Sequence, residues 1–409
     1  MNTNAILIYY TSQFGEHLHP FMITELQQLS KHHKEVHLFC LDAICGYSEL
    51  NKIKNVFIHP MPRYYRYIRI YMILPSLFNK ELQDNIKLAK KDKKMDFGFW
   101  RSLSRIILPG KIMAKEIDKL ITNNQNKWFI ESFWMDASAY AAAVVKEKHN
   151  NVTAITRVHS VEIDPIKNRY YKYEMKNYIY SRLDAICFIS NYGKEFYEKN
   201  IFSSYFSEKP LKDKLFRLGC IKKLSGINSS SQDDKFRIIS CSRITSVKRI
   251  ELLAQIARKL QESNILWKHI GTGEDYEKIS LILKNQNLIP SEFLIGDLEN
   301  IKVQEIMANE PIDMLVNVSS SEGVPVSIME AMSYGIPVLC TNAGGSNEIV
   351  NDDNGKIIPI NITSQELYNA ICEMKNRSDR KIIKKNAYET WKKEYDMYYN
   401  FEKFWSEFN

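Results

Sequence analysis

Short apolar runs separated by stretches of helical periodicity dominate the second half of the chain. Residues 236–242 (FRIISCS), 265–270, 293–296, 313–318 and 337–341 have strand character, and helical segments fall near 250–262, 274–287, 302–309 and 326–334. Short buried strands alternating with helices predict a parallel sheet covered on both faces. The first half has the same alternation less regularly, with strands expected at 5–10, 35–41, 56–59, 127–131, 152–158 and 184–189. A long, partly helical insertion occupies 60–126. After about residue 380 a single long helix is expected, with aromatic side chains forming a wide apolar stripe.

The chain of 409 residues suits two domains. The polar segment 225–234 (SGINSSSQDD) marks the boundary, giving 1–224, 225–385 and a closing helix 386–409 that packs back on the first domain. The fold class expected is α/β, with two Rossmann-like doubly wound domains facing a cleft, where strand carboxyl ends place a ligand. No apolar run approaches the ~18 residues that span a bilayer, and no basic segment precedes the first run, so a cytoplasmic protein is expected. The seven cysteines (40, 45, 187, 220, 241, 340 and 372) include no C-x-x-C pair and are read as buried free thiols.

The net charge of +8 is unevenly spread. Residues 51–100 carry eleven Lys/Arg against four Asp/Glu, whereas 251–350 carry six against fourteen. In the basic block, Arg63, Arg66 and Arg69 alternate with tyrosines, and Lys90, Lys91, Lys93 and Lys94 precede Phe97, Phe99 and Trp100. Cations beside aromatics suit an anionic membrane surface, so residues 63–100 are expected to meet the membrane's inner face. A solvated basic face is the plain alternative. Nucleic acid is not expected as a partner, because none of its recognition motifs occurs. His17, His19, His32, His33 and His37 cluster in sequence, but helical spacing would scatter them towards solvent, and no metal is expected there.

Candidate chemistry concentrates in residues 319–350, SSSEGVPVSIMEAMSYGIPVLCTNAGGSNEIV. A strand ends in serines, Glu322 and Gly323 form a turn, Pro325 stands near a helix start, and the helix carries Glu330. Free amides around Val324, Val326 and Ser327 provide an anion site. Eight residues along a helix rise ~12 Å, too far for the carboxyl pair of a glycosidase. That separation suits two hydroxyl clusters at opposite ends of one ligand, with a diphosphate between them. Glu348 would position the short helix after Gly345 or touch the ligand.

This stretch, S-S-E-G-x-P-x-x-x-x-E-A-M-x-x-G-x-P-V followed by G-G-x-x-E-I-V, closely resembles the E-x7-E signature of glycosyltransferase family 4. Those enzymes are retaining, have the GT-B fold and use nucleotide sugars. The resemblance implies that Glu322 acts on the sugar hydroxyls, that Glu330 holds the ribose, and that Gly323, Val324, Pro325 and Val326 line the donor. SCSRITSVK (240–248) is similar to the family segment whose Arg and Lys hold the diphosphate, here Arg243 and Lys248. HIGTGED (269–275) resembles its glycine loop, with Gly271 and Gly273, and LIGDL (294–298) the segment beside the base, ending at Leu298. QFGEH places Gly15, and TRVHSVEID places His159, near the donor.

The resemblance is strong over about 150–360 and loose over 1–150, the half expected to take the acceptor. It implies metal-independent transfer without a cofactor, from a UDP-sugar ahead of a GDP-sugar, to a glycan or lipid-linked acceptor in capsule, O-antigen or exopolysaccharide synthesis. A nucleotide-sugar epimerase, a phosphorylase of the same fold and a non-catalytic saccharide-binding subunit stay open as alternatives.

Overall fold

A computed structural model describes residues 3–10, 20–41, 48, 50–61, 79–122, 126–163, 165, 168–206, 210–229 and 233–408. Gly15, Cys45, His17, His19 and the arginines of the basic block lie outside the described residues. The chain divides into two compact units, Met1–Phe216 and Arg217–Asn409.

The first unit contains β1 (Thr3–Tyr9), β2 (Val36–Leu41), β3 (Val56–Met61), β4 (Lys127–Ser132), β5 (Val152–Val158), β6 (Ala185–Phe188) and β7 (Asp213–Leu215). They form one parallel sheet in the order β3-β2-β1-β4-β5-β6-β7. The order reverses at β1, which pairs Ile6 with His37 on one side and with Ile130 on the other. Ala5 through Tyr9 are all buried, as a central strand covered on both faces requires. The expected insertion contains the helices Lys80–Lys91 and Phe97–Thr122. The first is capped by Asn79, whose side chain accepts from the Leu82 amide.

The second unit holds β8 (Phe236–Cys241), β9 (Ile265–Ile270), β10 (Leu294–Gly296), β11 (Met314–Asn317), β12 (Val338–Thr341) and β13 (Gly355–Ile358). Their order is β10-β9-β8-β11-β12-β13, again parallel throughout, with the switch between β8 and β11. Alternation along β11 divides the core. Met314 and Val316 pack with Ile238, Trp267 and the helix Ser364–Asn376, while Leu315 packs with Ile239, Val338 and the helix Val326–Ser333 on the opposite face.

Three sequence expectations change. Strand β13 was not expected, because Gly355 and Lys356 interrupt its apolar run and only its end residues are buried. The closing helix is two helices, Arg380–Glu394 and Met397–Ser406. Asp396 caps the second by accepting from the Tyr398 and Tyr399 amides, and the Cys220 amide donates to the Tyr395 carbonyl at the break. Ala387, Trp391 and Tyr395 of this stretch belong to the second unit's own core. His33 and His37 do not face solvent: both are buried, and His37 lies in β2 with its Nδ1 3.0 Å from Nε2 of His59 in β3. Cys40, Cys187, Cys220 and Cys340 are buried, and Cys241 and Cys372 are half-buried.

Candidate donor site at the switch of the second sheet

The loops after β8 and β11, the two strands at the switch, carry most of the candidate residues. In a doubly wound sheet adjacent connections leave in opposite directions at this point, opening a crevice at the strand ends. The loop after β8 carries Arg243 and Lys248, and the loop after β11 carries Glu322. The structure joins the two loops directly. Lys248 Nζ lies 2.6 Å from Glu322 Oε1, and Asn317 Nδ2 donates to the same oxygen at 3.3 Å. Arg243 is exposed and, among the described residues, makes no ion pair.

Arg249, unremarked in the sequence, ties the loops again. Its Nε donates to the Val318 carbonyl at 2.7 Å and Nη1 to the Ile360 carbonyl at 2.6 Å, with Nη2 3.4 Å from the Ser319 carbonyl. Its φ of 50° is left-handed, a conformation that side chains seldom adopt. The Ser320 amide also donates to the Val247 carbonyl at 2.8 Å.

The helix Val326–Ser333 starts from Pro325 with no side chain capping its first amides. Its N-terminus therefore presents unsatisfied N–H groups and the positive end of the helix dipole beside Glu322. Gly344, at φ 54°, lies against this turn: a Cβ there would strike the Glu322 carbonyl oxygen. The Gly345 amide donates to the Gly323 carbonyl at 3.1 Å.

Glu330 follows four residues into the helix and is nearly buried. Asn300 Nδ2 donates to its Oε1 at 2.6 Å. Behind Asn300, Gln304 Nε2 reaches Asn300 Oδ1 at 3.3 Å, and Gln304 Oε1 accepts from Tyr334 Oη at 2.7 Å. Burial raises the Glu330 carboxyl above the ordinary range, partly offset by the Asn300 hydrogen bond and the Lys223 charge.

Gly271 and Gly273 have a packing role that their spacing did not disclose. Side chains there would collide with the backbone of Ser242 and Ile244, so the glycine turn lies flat against the Arg243 loop. The Gly271 amide donates to Gly296 at 2.8 Å, fixing the turn to the LIGDL segment, whose Leu298 packs on the adjacent core. Glu348 stands 3.6 Å from the Arg217 guanidinium.

His159 belongs to the first unit, at the end of β5. Its ring stacks on Phe133 at 4.9 Å and lies 4.4 Å from Trp134. Its amide donates to Glu162 Oε2 at 3.1 Å and its Nδ1 lies 3.6 Å from Glu162 Oε1, while among the described residues neither ring nitrogen has a hydrogen-bond partner. Among the described residues, no group of three His, Cys, Asp or Glu side chains is placed to hold a metal ion, and no helix is long and apolar enough to cross a membrane.

Residues 226–390 match the family model for glycosyl transferases group 1. The chain is 28% identical over 131 residues to the putative colanic acid biosynthesis glycosyltransferase WcaL of Escherichia coli, covering 30% of this chain and 32% of that one. It is 30% identical over 172 residues to the sulfoquinovosyl transferase SQD2 of Arabidopsis thaliana, covering 40% and 32%. These matches thus span about a third of each relative's length. Among solved structures, the lipopolysaccharide outer core galactosyltransferase WaaB superposes with a TM-score of 0.65 at 16% identity, covering 98% of both chains. Anabaena Alr3699/HepE, solved in complex with UDP, gives 0.66 at 12% identity, covering 99% of both. Both likenesses extend over the two sheets and identify the fold as GT-B. Residues 226–390, the part that holds the second sheet, are thus similar to the group 1 glycosyltransferases.

Proposed function

We propose that this protein is a retaining glycosyltransferase that moves a sugar from a nucleoside-diphosphate donor to a glycan or lipid-linked acceptor of a surface polysaccharide. The observation that carries the reading is the meeting of Arg243, Lys248, Glu322 and an uncapped helix start at one sheet switch. Cations and amides gathered there stabilise charge growing on a departing diphosphate without needing a metal. Glu330 accepts from the ribose hydroxyls. Glu322 accepts from the sugar hydroxyls, while Gly323, Val324 and Val326 line the phosphates.

The bond from the anomeric carbon to the phosphate oxygen breaks as the acceptor oxygen bonds to that carbon on the same face. The acceptor proton passes to the departing phosphate. The first unit, with His159 and Gly15, takes the acceptor and touches the sugar. Relatives named for colanic acid and for O-antigen biosynthesis support the acceptor class. A structural neighbour solved with UDP and glucose favours UDP over GDP as the donor base.

The basic block 63–100 would hold the enzyme against anionic lipid at the inner face of the membrane. Phe97 is 71% exposed beside that block, although Phe99 is fully buried and serves the core. A thermal-shift series with UDP-, GDP- and ADP-sugars, followed by NMR of the product's anomeric configuration, tests the function. One donor should stabilise the protein, and the product should keep the donor's configuration. An inverted product, or no stabilisation by any donor, would overturn the reading.

A further inference from the structure

We propose that His269 is a positioning residue for the donor diphosphate, pinning the Ser242 carbonyl so that the Arg243 amide N–H is turned outward to the anion. The inference rests on the donor-site reading above.

His269 is fully buried near the end of β9, where an apolar residue would be the simpler choice. Its Nε2 lies 3.1 Å from the Ser242 carbonyl oxygen, and its Nδ1 lies 2.8 Å from Ser240 Oγ. Trp267 Nε1 donates to the same Ser240 oxygen at 2.9 Å. Donor and acceptor capacities fix the direction of this chain. Indole N–H can only donate and a carbonyl can only accept, so His269 carries its proton on Nε2, and Ser240 O–H donates to Nδ1. Burial supports the neutral ring by lowering its pKa from 6.5 to about 4.

The backbone around Arg243 shows what the chain accomplishes. The Ser242 amide donates to Ile270 at 3.1 Å, the Ile244 amide to Thr272 at 2.9 Å, and the Asp275 amide to the Ile244 carbonyl at 3.1 Å. The Arg243 carbonyl accepts from Ser242 Oγ at 3.2 Å. His269 takes the Ser242 carbonyl. Among the described residues, the Arg243 N–H is then the one backbone group of 242–244 left without a partner. A trans peptide is planar, so a carbonyl held towards His269 turns that N–H to the opposite side. It faces away from the glycine turn, on an exposed loop whose side chain is a free guanidinium. An amide and a guanidinium from one residue then serve one diphosphate.

Two substitutions separate this role from simple packing. An Asn amide reaches the position of Nδ1, whereas a Gln amide reaches that of Nε2 and keeps the donor to Ser242. Calorimetry would compare UDP, GDP and ADP with their nucleosides on wild type, His269→Asn and His269→Gln. For the diphosphate that wild type binds, His269→Asn should bind about tenfold more weakly, the worth of roughly one hydrogen bond, with the nucleoside unaffected. His269→Gln should recover most of the lost affinity.

If His269→Asn does not fold, Ser240→Ala decides, since it frees the tautomer and should weaken only the diphosphate. Equal losses for nucleoside and diphosphate, equal losses in Asn and Gln, or no loss in any variant would overturn the assignment. Failure of wild type to bind any of the three diphosphates would instead overturn the donor-site reading, and this inference with it.

Discussion

Lys248 Nζ and Glu322 Oε1 stand 2.6 Å apart, joining a cation from the loop after β8 to a carboxylate from the loop after β11. The pair holds both charges at the switch before any donor arrives. On the proposed reading, donor binding would redistribute it, with phosphate competing for the lysine and sugar hydroxyls for the glutamate. Glu322→Gln keeps the shape but removes the charge, and should lower kcat by about 100-fold or more with a modest loss of UDP affinity. Arg243→Ala should impair both. Steady-state kinetics with UDP titrations would check this, and equal, mild effects from the two would sink the assigned roles.

Arg249 braces the same loops from behind through the Val318, Ser319 and Ile360 carbonyls. A lysine keeps the charge but not the fork that reaches several acceptors. Arg249→Lys should reduce kcat about tenfold while lowering the unfolding free energy from urea denaturation by only about 1.5–3 kcal/mol, the range for losing a hydrogen bond to a charged group. Unaltered kcat would mean that the brace does not position Glu322.

Three imidazoles, His33 and His269 buried and His59 half-buried, make acid the weak side of the stability profile. His33, His59 and His269 are each held neutral by burial, their pKa values lowered from 6.5 to about 4. Unfolded, they take up protons near 6.5; folded, they resist until about 4. Stability should thus be complete above about 6.5 and decline as the pH falls towards 4. The Glu330 pKa shifts the other way, and its effect falls on binding. Its carboxyl is raised by burial, so donor affinity should begin to fall at a higher pH than an ordinary glutamate would dictate. Thermal melts and calorimetry between pH 4 and 8 would separate the two, and a flat melting profile would contradict the histidine account.

In the first unit Arg157 meets two carboxylates, Glu25 and, at 2.6 Å, Glu131, with all three side chains excluded from water. Burial raises the Glu25 carboxyl well above the usual range despite the arginine, and Glu131 raises it further. Removing this cation strands both acids. Arg157→Met should cost about 3–5 kcal/mol in denaturant unfolding, and adding Glu131→Gln should restore part of it. A cost under about 1 kcal/mol would show that the cluster is not held by its charges.

The strands of both sheets were legible because central parallel strands are short apolar runs whatever surrounds them. β13 escaped because Gly355 and Lys356 interrupt its apolar run and only its two end residues are buried. The candidate donor motif was legible as an ordered set of Glu, Gly and Pro around one helix start, a local arrangement that the chain writes in a single stretch. Arg249, His269 and Gly344 were not, since each acts on backbone from a different segment.

What the sequence by itself determined is the succession of strands and helices and the chemistry stored in one continuous motif, both of which depend on residues close along the chain. Only the tertiary structure decided that Lys248 neutralises Glu322, that Asn300 holds Glu330, and that Gly271 and Gly273 give the Arg243 loop its bed. Those relations join residues 30 or more positions apart, or depend on room beside a backbone, and no local pattern encodes either.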